Sequence, residues 1–421
     1  MFRKMMMILL CLALLLPTAL AEENTLRVML AGGWLEADGY TGARLDVRSA
    51  ESITDEMANA FAIRNDQIDL FVFPAYEGLY SIKTHGYYAP LNDSAVLMGK
   101  LGDLYPAFQQ ALTDDGKLVG WVMSADVMGM MVHHGLLREC GLPVPDTFDE
   151  LLDTCQAVLE ADVLPLDESL LGTAEYSQQG VLDLYMEQYI RACQLGGGTV
   201  SFTAPEFLAM VRRIQAELPA TDPFPGDWAE NSVFEFDLGY MLPEADMVIK
   251  PRVVEGRPHV IETQMMVAVV NPYSANQEGA VAFLEWYAAQ VRPENYIFDA
   301  SLGLMESDWD KERIAVLQAD IAELEAAPEL SPEQEIELEA YRLELASREE
   351  NPWVVSEAAI DFYASLADGL SITEASPVTY DSALRTAAQR FLNGAYDAEG
   401  FAQACQEHIT MIYQENNIPM N

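Results

Sequence analysis

Two short apolar runs, Lys117 to Met123 and Val127 to Val132, constrain the fold of this chain more than any other feature. Apolar runs of this length are typical of buried strands. They are separated only by the polar break Ser124-Ala125-Asp126. Such a break suits a chain that leaves one lobe and enters another, because few residues there need to be packed. The break is therefore a predicted hinge.

The segment after these runs predicts a short link and then a helix. The link contains Gly141, Pro143 and Pro145. Thr147 and Glu150 have the spacing of a capping box, in which each side chain accepts a hydrogen bond from the other residue's backbone N–H. The helix that follows has one apolar stripe, made by Phe148, Leu151, Leu152, Cys155, Val158 and Leu159.

Two loops that follow predicted strands contain candidate ligand-binding residues. Thr25 to Leu30 reads as a strand and is followed by a glycine-rich turn with Trp34, but the full glycine spacing of a dinucleotide site is absent. Gln67 to Phe73 reads as a second strand, followed by Tyr76 and Glu77. In open α/β sheets, ligands bind at the carboxyl ends of the strands. The loop with Tyr76 and Glu77 is therefore predicted to line a cleft.

The order of these segments resembles the extracellular solute-binding proteins of ABC importers, in the broad family that includes the maltose-binding protein. The resemblance covers most of the chain after residue 21 and extends to 68–91, 251–287 and 391–414. It implies a periplasmic-binding-protein-like α/β fold, with two discontinuous lobes joined by a hinge.

The resemblance also sets the expected boundaries of the lobes. Residues 25–123 and 264–305 would form the first lobe, and residues 127–261 and 352–421 the second. Ser124 and Thr263 would be the hinge positions of the two crossovers. Residues 306–351 are rich in Glu and have two helical apolar patterns, so they are predicted to be an inserted helical hairpin.

The N-terminus is typical of a secretory signal peptide. Arg3 and Lys4 precede an apolar run from Met5 to Leu16, and Ala19-Leu20-Ala21 provides a small-x-small cleavage site. The run is shorter than the ~20 residues that a membrane-spanning helix needs. Residues 1–21 are therefore predicted to be removed, which leaves an exported protein, periplasmic or secreted. Cys11 lacks the small residues that normally precede a lipidated cysteine, so a lipoprotein is not expected.

Charge and cysteine content exclude some functions and leave others open. The formal net charge is −44, which disfavours binding to nucleic acid or to an anionic membrane surface. Four cysteines lie after residue 21, and they either form disulfides in one of three pairings or pack as small core residues. No cysteine or histidine spacing resembles a zinc site, and no metal or cofactor is expected. The four cysteines after residue 21 are Cys140, Cys155, Cys193 and Cys405.

The favoured function is capture of a small solute between the two lobes and its delivery to an ABC transporter permease. The protein is expected to be a monomer and not an enzyme. Two alternatives remain open. A secreted glycoside hydrolase is one, because 67 acidic residues always offer a pair of carboxylates, although no spacing singles one out. The binding module of a sensor system is the other.

A carbohydrate is the favoured solute, because aromatic faces stack on sugar rings and carboxylates accept hydrogen bonds from hydroxyl groups. No cluster of Arg or Lys marks a site for an anion, so an anionic solute is disfavoured, whereas a polyamine and a peptide stay open as alternatives. The predicted ligand-binding residues are Trp34, Tyr76, Glu77, Asp126, Trp228 and Asp237.

Overall fold

The computed structural model describes most of the chain after residue 24. The described residues are 25–32, 35–132, 137–138, 140–161, 169–171, 177–195, 197–218, 220, 232–240, 247–306, 308–326, 331–350, 353–355, 357–372, 378–416 and 418–419.

The strands within these ranges are β1 (Thr25–Leu30), β2 (Arg44–Ser49), β3 (Leu70–Pro74), β4 (Thr113–Asp114), β5 (Lys117–Leu118), β6 (Trp121–Val132), β7 (Ser169–Leu171), β8 (Ser232–Tyr240), β9 (Met247–Val248), β10 (Ile261–Val270), β11 (Met305–Glu306), β12 (Trp353–Val355) and β13 (Leu370–Ile372). The helices are α1 (Ile53–Ile63), α2 (Leu79–His85), α3 (Ala95–Leu101), α4 (Pro106–Leu112), α5 (Phe148–Ala161), α6 (Ser177–Leu195), α7 (Pro205–Glu217), α8 (Gln277–Ala288), α9 (Asp308–Glu325), α10 (Pro332–Glu350), α11 (Glu357–Leu366), α12 (Ser382–Leu392) and α13 (Ala398–Glu415). None of these helices is long and apolar enough to cross a membrane.

One mixed sheet runs through the molecule, in the order β2-β1-β3-β10-β6-β8-β7. β1 pairs in parallel with both β2 and β3, whereas β10 is antiparallel to β3 on one edge and to β6 on the other. β13 pairs in parallel with residues 261–263 of β10. β6 and β10 are thus the long central strands that connect the two halves of the sheet.

The buried side chains divide into two cores. The first contains residues 26–127 and 261–298, and the second contains residues 130–218 and 378–413. The chain therefore has a mixed α/β fold with two discontinuous lobes. The first core also includes Val355, Tyr363, Leu366 and Leu370. The expected boundary at residue 352 is therefore wrong, because residues 355–370 pack in the first lobe and the chain crosses to the second only after β13.

The polar break is part of a strand instead of a connection between two strands. β6 is continuous from Trp121 to Val132, and Ser124 and Ala125 pair with Met266 and Met265 of β10. Ala125 is buried, whereas Ser124 and Asp126 are half-buried. Successive side chains of a strand point to opposite faces. The polar residues at 124 and 126 therefore share one face of a strand whose other face is in the core.

Two helices begin with the hydrogen bonds of a capping box, and the one at Thr147 confirms the prediction from the sequence. The Glu150 backbone N–H donates to Thr147 Oγ1 at 3.2 Å, and the Thr147 backbone N–H donates to Glu150 Oε2 at 3.3 Å. At α10, Gln334 N–H donates to Ser331 Oγ at 3.3 Å, and Ser331 N–H donates to Gln334 Oε1 at 3.0 Å. Each helix thus begins with a reciprocal capping box.

α9 and α10 form a helical hairpin that packs mainly on itself. Leu317, Ile321 and Leu338 are buried, but they belong to neither core. Arg313 binds Glu344 through Nε at 3.0 Å and Nη2 at 2.8 Å. The hairpin leaves and rejoins the first lobe through the antiparallel pair β11 and β12, in which Met305 is opposite Val355.

Candidate functional site

A cavity of about 230 Å³ lies at the carboxyl ends of β1 and β3, beside the crossover strands. Its sheet side includes Leu30 of β1 and Val72 of β3. The loop after β1, the adjoining parts of β6 and β10, and the segment after α8 complete it, with Leu35, Glu36, Met123, Ser124, Met266, Tyr287, Arg292 and Asn295. This is the place where an open α/β sheet binds ligands.

Arg292 is the cation of this cavity. Its guanidinium carbon lies 4.2 Å from the centre of the Tyr287 ring, a distance at which a cation is attracted to the face of an aromatic ring. Arg292 Nε is 3.9 Å from Glu36 Oε2, which is too long for a hydrogen bond. The Tyr287 hydroxyl donates to the backbone carbonyl of Met123 at 2.8 Å. The ring under Arg292 is thereby held against the first crossover strand.

The loop that carries Glu36 is held by local backbone geometry and by aromatic packing. Gly32 has φ +69°, in the left-handed region that glycine adopts without strain. The Tyr40 ring packs on Phe283 and Trp286 of α8, with both ring centres 5.1 Å away. The loop therefore covers the sheet face on which α8 lies.

A second, larger cavity of about 560 Å³ lies between the lobes. Lys83 and Gln110 from the first lobe face Glu187, Arg191 and Gln194 of α6 from the second, and β13 and Tyr380 complete the lining. Burial, followed by a hydrogen bond to Asp183, raises the pKa of the Tyr380 hydroxyl.

The two cavities lie on opposite faces of the sheet. Val72 borders the smaller cavity, whereas the neighbouring Phe71 ring packs on Phe61 of α1. The smaller cavity is therefore on the face opposite α1. Lys83 of the larger cavity comes from α2, and Tyr87 directly after α2 stacks on Phe61 at 4.7 Å. The larger cavity is therefore on the α1 face.

Charged side chains connect α6 to the second crossover strand. Glu262 of β10 accepts from Arg191 of α6 at 3.3 Å and from the fully buried Lys250 at 3.3 Å. Arg191 also donates to Glu187 at 2.9 Å. The Glu262 side chain thus links the start of β10 to the second lobe, whereas Ile261 and residues 267–270 are buried in the first core.

The structure brings only some of the predicted site residues to the smaller cavity. Ser124 lines it. Tyr76 and Glu77 follow β3 but do not line it; Tyr76 is 40 % exposed, and the Glu77 carbonyl accepts from Thr54. Asp126 lies on β6 opposite Gln264.

The remaining predicted positions are divided between β8, β10 and the undescribed parts of the chain. Thr263 is fully buried on β10, where its hydroxyl donates to the Ile261 carbonyl at 3.0 Å. Asp237 lies within β8, and its side chain is outside the described part of the structure. Trp34 and Trp228 lie outside the described residues.

Sequence reasoning missed Arg292, Tyr287 and Glu36. In the sequence, Tyr287 fits the apolar side of a helix, and Arg292 belongs to no motif. The scarcity of basic residues, 23 Lys and Arg in 421, was the available signal. Among the described residues, no group of three or more His, Cys, Asp or Glu side chains is placed to hold a metal ion.

Comparisons with known proteins show relatives by structure alone. No protein-family model matches the sequence, and no curated protein matches it either. Among solved structures, the cyclic alpha-maltosyl-1,6-maltose binding protein from Arthrobacter globiformis is 17 % identical; the match covers 93 % of this chain and 99 % of that one, with a TM-score of 0.57. Maltose-bound MalE3 of T. maritima is 13 % identical over 92 % of this chain and 100 % of that one, with a TM-score of 0.49.

A third similar structure is an ABC transporter solute-binding protein from Agrobacterium radiobacter in complex with ribitol. It is 14 % identical over 92 % of this chain and 98 % of that one, with a TM-score of 0.48. The Arthrobacter globiformis protein has the highest TM-score of the three, and the assignment of the fold rests on it alone. The chain is built on the periplasmic-binding-protein-like α/β fold of the cyclic alpha-maltosyl-1,6-maltose binding protein.

Proposed function

We propose that this protein is an extracytoplasmic solute-binding protein that captures a small solute, with a carbohydrate favoured, and delivers it to an ABC transporter permease. The cavity at the carboxyl ends of β1 and β3, directly beside the two crossover strands, is the observation that supports this best. A protein of the same fold is named for binding a cyclic maltosyl-maltose. The proposed role is binding without catalysis.

Binding would couple to closure of the lobes about the crossovers. Ser124 and Thr263 are the proposed hinge positions, and the register shift between Met266 and Val267 lies next to them on β10. Trp34, Tyr76, Glu77 and Asp126 are the proposed contacts from the first lobe and the crossover. Tyr76, Glu77 and Asp126 are outside the described lining of the smaller cavity, so they would contact a part of the solute that extends beyond it. Trp228 and Asp237 would contact it from the second. A ligand that binds the closed form better shifts the population toward it, which gives the permease a shape to recognise.

The proposed location follows from the N-terminal sequence. Residues 1–21 would be cleaved as a signal peptide, and the mature protein would begin at Glu22, without a lipid on Cys11, and act as a monomer. Mass spectrometry of the exported protein measures both the start and any modification. A lipid-modified Cys11 would rule out the released form.

A thermal-shift screen of mature protein against sugars, amino acids, peptides and polyamines tests the function. A true ligand at 100 times its Kd adds about 2.7 kcal/mol to the free energy of unfolding. We expect stabilisation by a saccharide, with no turnover of it on prolonged incubation. Hydrolysis of the saccharide would identify an enzyme instead.

Two further measurements connect that binding to the cleft. Small-angle X-ray scattering should show a smaller radius of gyration with ligand than without it, because the lobes close. Replacement of Trp228 by Ala should weaken binding while the melting temperature of the empty protein stays the same. A loss of stability in the empty variant would assign Trp228 to the core instead.

A further inference from the structure

Arg292 has hydrogen-bonding capacity that the described part of the chain does not use. Its side chain is only 20 % exposed, yet its nearest carboxylate oxygen, on Glu36, is 3.9 Å from Nε. Neither terminal nitrogen of its guanidinium hydrogen-bonds to a described residue. By contrast, Arg27 and Arg313 each bind carboxylates through two nitrogens, and Arg213 does so through three. Arg292 therefore lines the cavity with guanidinium donors that no described residue engages, and such a planar fork matches the geometry of a carboxylate.

The surroundings strengthen the attraction of this cation for an anion. Leu30, Leu35, Val72, Met123 and Met266 make much of the cavity wall apolar. An apolar wall lowers the local dielectric constant, so a charge–charge interaction is stronger there than at the open surface. The face of Tyr287 holds the guanidinium from one side. Glu36 is 63 % exposed, so it can move away without leaving a buried charge behind.

We propose that the solute carries a carboxylate, and that Arg292 binds it with two parallel hydrogen bonds. The favoured ligand class is an acidic saccharide that contains a uronic acid. This inference rests on the proposed function and names the substrate class of the same site. It reverses the expectation from the sequence that an anionic solute is disfavoured, because one oriented arginine suffices for a carboxylate and no cationic cluster is needed.

The size of the cavity sets how much of the ligand it holds. Its volume of about 230 Å³ is below the ~300–1,000 Å³ of sites for drug-sized ligands. The cavity therefore takes a single sugar unit with its carboxylate toward Arg292, and a longer saccharide continues toward the second lobe. Ser124 is the lining hydroxyl on the crossover strand, so the bound unit touches the hinge.

Calorimetric titration of mature protein tests the proposal with paired ligands. Glucuronate, galacturonate and their oligomers are compared with glucose, galactose and the neutral oligomers of the same length. We expect the acidic member of a pair to bind at least tenfold more tightly and its affinity to fall with added NaCl, while the affinity of the neutral member does not. Acetate and sulfate are titrated as simple anions.

Variants separate the role of Arg292 from total charge. Arg292→Gln should weaken uronate binding at least tenfold more than it weakens the binding of the matched neutral sugar, and Arg292→Lys should recover only part of the loss. Arg48→Gln is the matched control, since Arg48 is exposed, pairs with Asp46 and lies outside the cavity. Glu36→Gln should tighten uronate binding, because it removes the carboxylate closest to Arg292.

Each result either supports or overturns the proposal. Neutral sugars that bind as well as uronates, or uronate binding that Arg292→Gln leaves unchanged, would overturn it while the proposed function stands. Absence of binding by any saccharide would instead defeat the proposed function itself. Acetate or sulfate that competes as strongly as uronate would show a site for simple anions. Should Arg292→Gln fail to fold, the salt dependence of the wild-type protein and the Glu36→Gln variant still decide.

Discussion

The carboxylate of Asp69, in the first lobe, accepts four hydrogen bonds. It is fully buried and accepts from Arg27 Nε at 3.0 Å, Arg27 Nη2 at 2.7 Å and the Arg27 backbone N–H at 2.8 Å. The Ser274 hydroxyl adds a fourth bond at 2.6 Å. A buried charge is tolerated when it is paired and hydrogen-bonded in this way. Asp69 thereby joins β1, the start of β3 and the turn before α8.

Replacing Asp69 by Asn should lower the free energy of unfolding by about 3–5 kcal/mol, because Arg27 loses its buried partner. Urea denaturation followed by tryptophan fluorescence measures the change. Asp46→Asn is the matched control, since Asp46 pairs with Arg48 at the surface and its loss should change stability very little. Equal effects of the two substitutions would contradict the role of burial.

Asp381 predicts a specific dependence of stability on pH. Burial alone would raise the pKa of its carboxyl, but hydrogen bonds from the Leu384 backbone N–H, the His408 ring and the Ala383 backbone N–H lower the pKa overall. A group whose pKa is lower in the folded state stabilises that state above its ordinary pKa. The contribution is lost as the pH falls through the lowered value.

The Asp381→Asn variant keeps a side-chain oxygen to cap α12 but cannot ionise. The stability difference between wild type and variant should be constant above about pH 5 and shrink below about pH 4, near the ordinary pKa of Asp. Urea titrations of both proteins at pH 7, 5, 4 and 3 give this difference. A constant difference over the whole range would show that the charge of Asp381 does not contribute.

At the scale of single elements, sequence patterns predicted a structure correctly where the residues that determine it are close together in the chain. The capping box at Thr147 needed only two residues three positions apart, so it could be predicted. The continuity of β6 could not, because it depends on backbone pairing of residues 124–127 with β10, more than 130 positions away in sequence. Alternation of Ser124 and Asp126 with Ala125 was the local sign of a half-buried strand.

The same limit explains the misplaced segment and the missed site. Tyr363 and Leu366 belong to the amphipathic helix α11, whose apolar side could pack in either lobe. Only the tertiary structure shows that it packs in the first. The cavity around Arg292 is assembled from β1, β6, β10 and the end of α8. No spacing along the chain predicts that these elements come together. Ser124 could be predicted as a site residue because the crossover has a local pattern, a polar break between two apolar runs.

The hairpin of α9 and α10 should be dispensable for the fold. We expect a variant in which residues 307–352 are replaced by Asn-Gly to keep its melting temperature, because β11 and β12 remain opposite each other and a two-residue turn can join them. Circular dichroism during heating measures this. Phe283→Ala, in the first core, is the contrasting change and should cost about 3–5 kcal/mol. Loss of cooperative unfolding on deletion would show that the hairpin supports the first lobe.

At the scale of the whole molecule, the two lobes are interleaved along the chain. The first core needs residues from Leu26 to Leu370, and the second needs residues from Met130 to Tyr413. Three segments cross between them, in β6, in β10 and after β13. Neither lobe is therefore a continuous piece that folds from its own stretch of sequence.

A chain that ends at residue 351 should fail to form either lobe. It lacks Tyr363 and Leu370 of the first core and Phe391 and Phe401 of the second, all of which are buried. Near-ultraviolet circular dichroism and limited proteolysis would show lost side-chain packing and rapid cleavage. The hairpin deletion is the control, since it removes residues from neither core. A protease-resistant first lobe in the truncated chain would contradict the interleaving.

This interleaving also determines how late in synthesis each lobe can complete its core. At ~5–20 residues per second, a ribosome needs roughly 20 to 70 s to proceed from β1 to β13. During that interval the first lobe lacks its last strand and the second lobe lacks its final helices. Because neither core is complete before that point, the packing of both lobes can finish only when synthesis is almost complete.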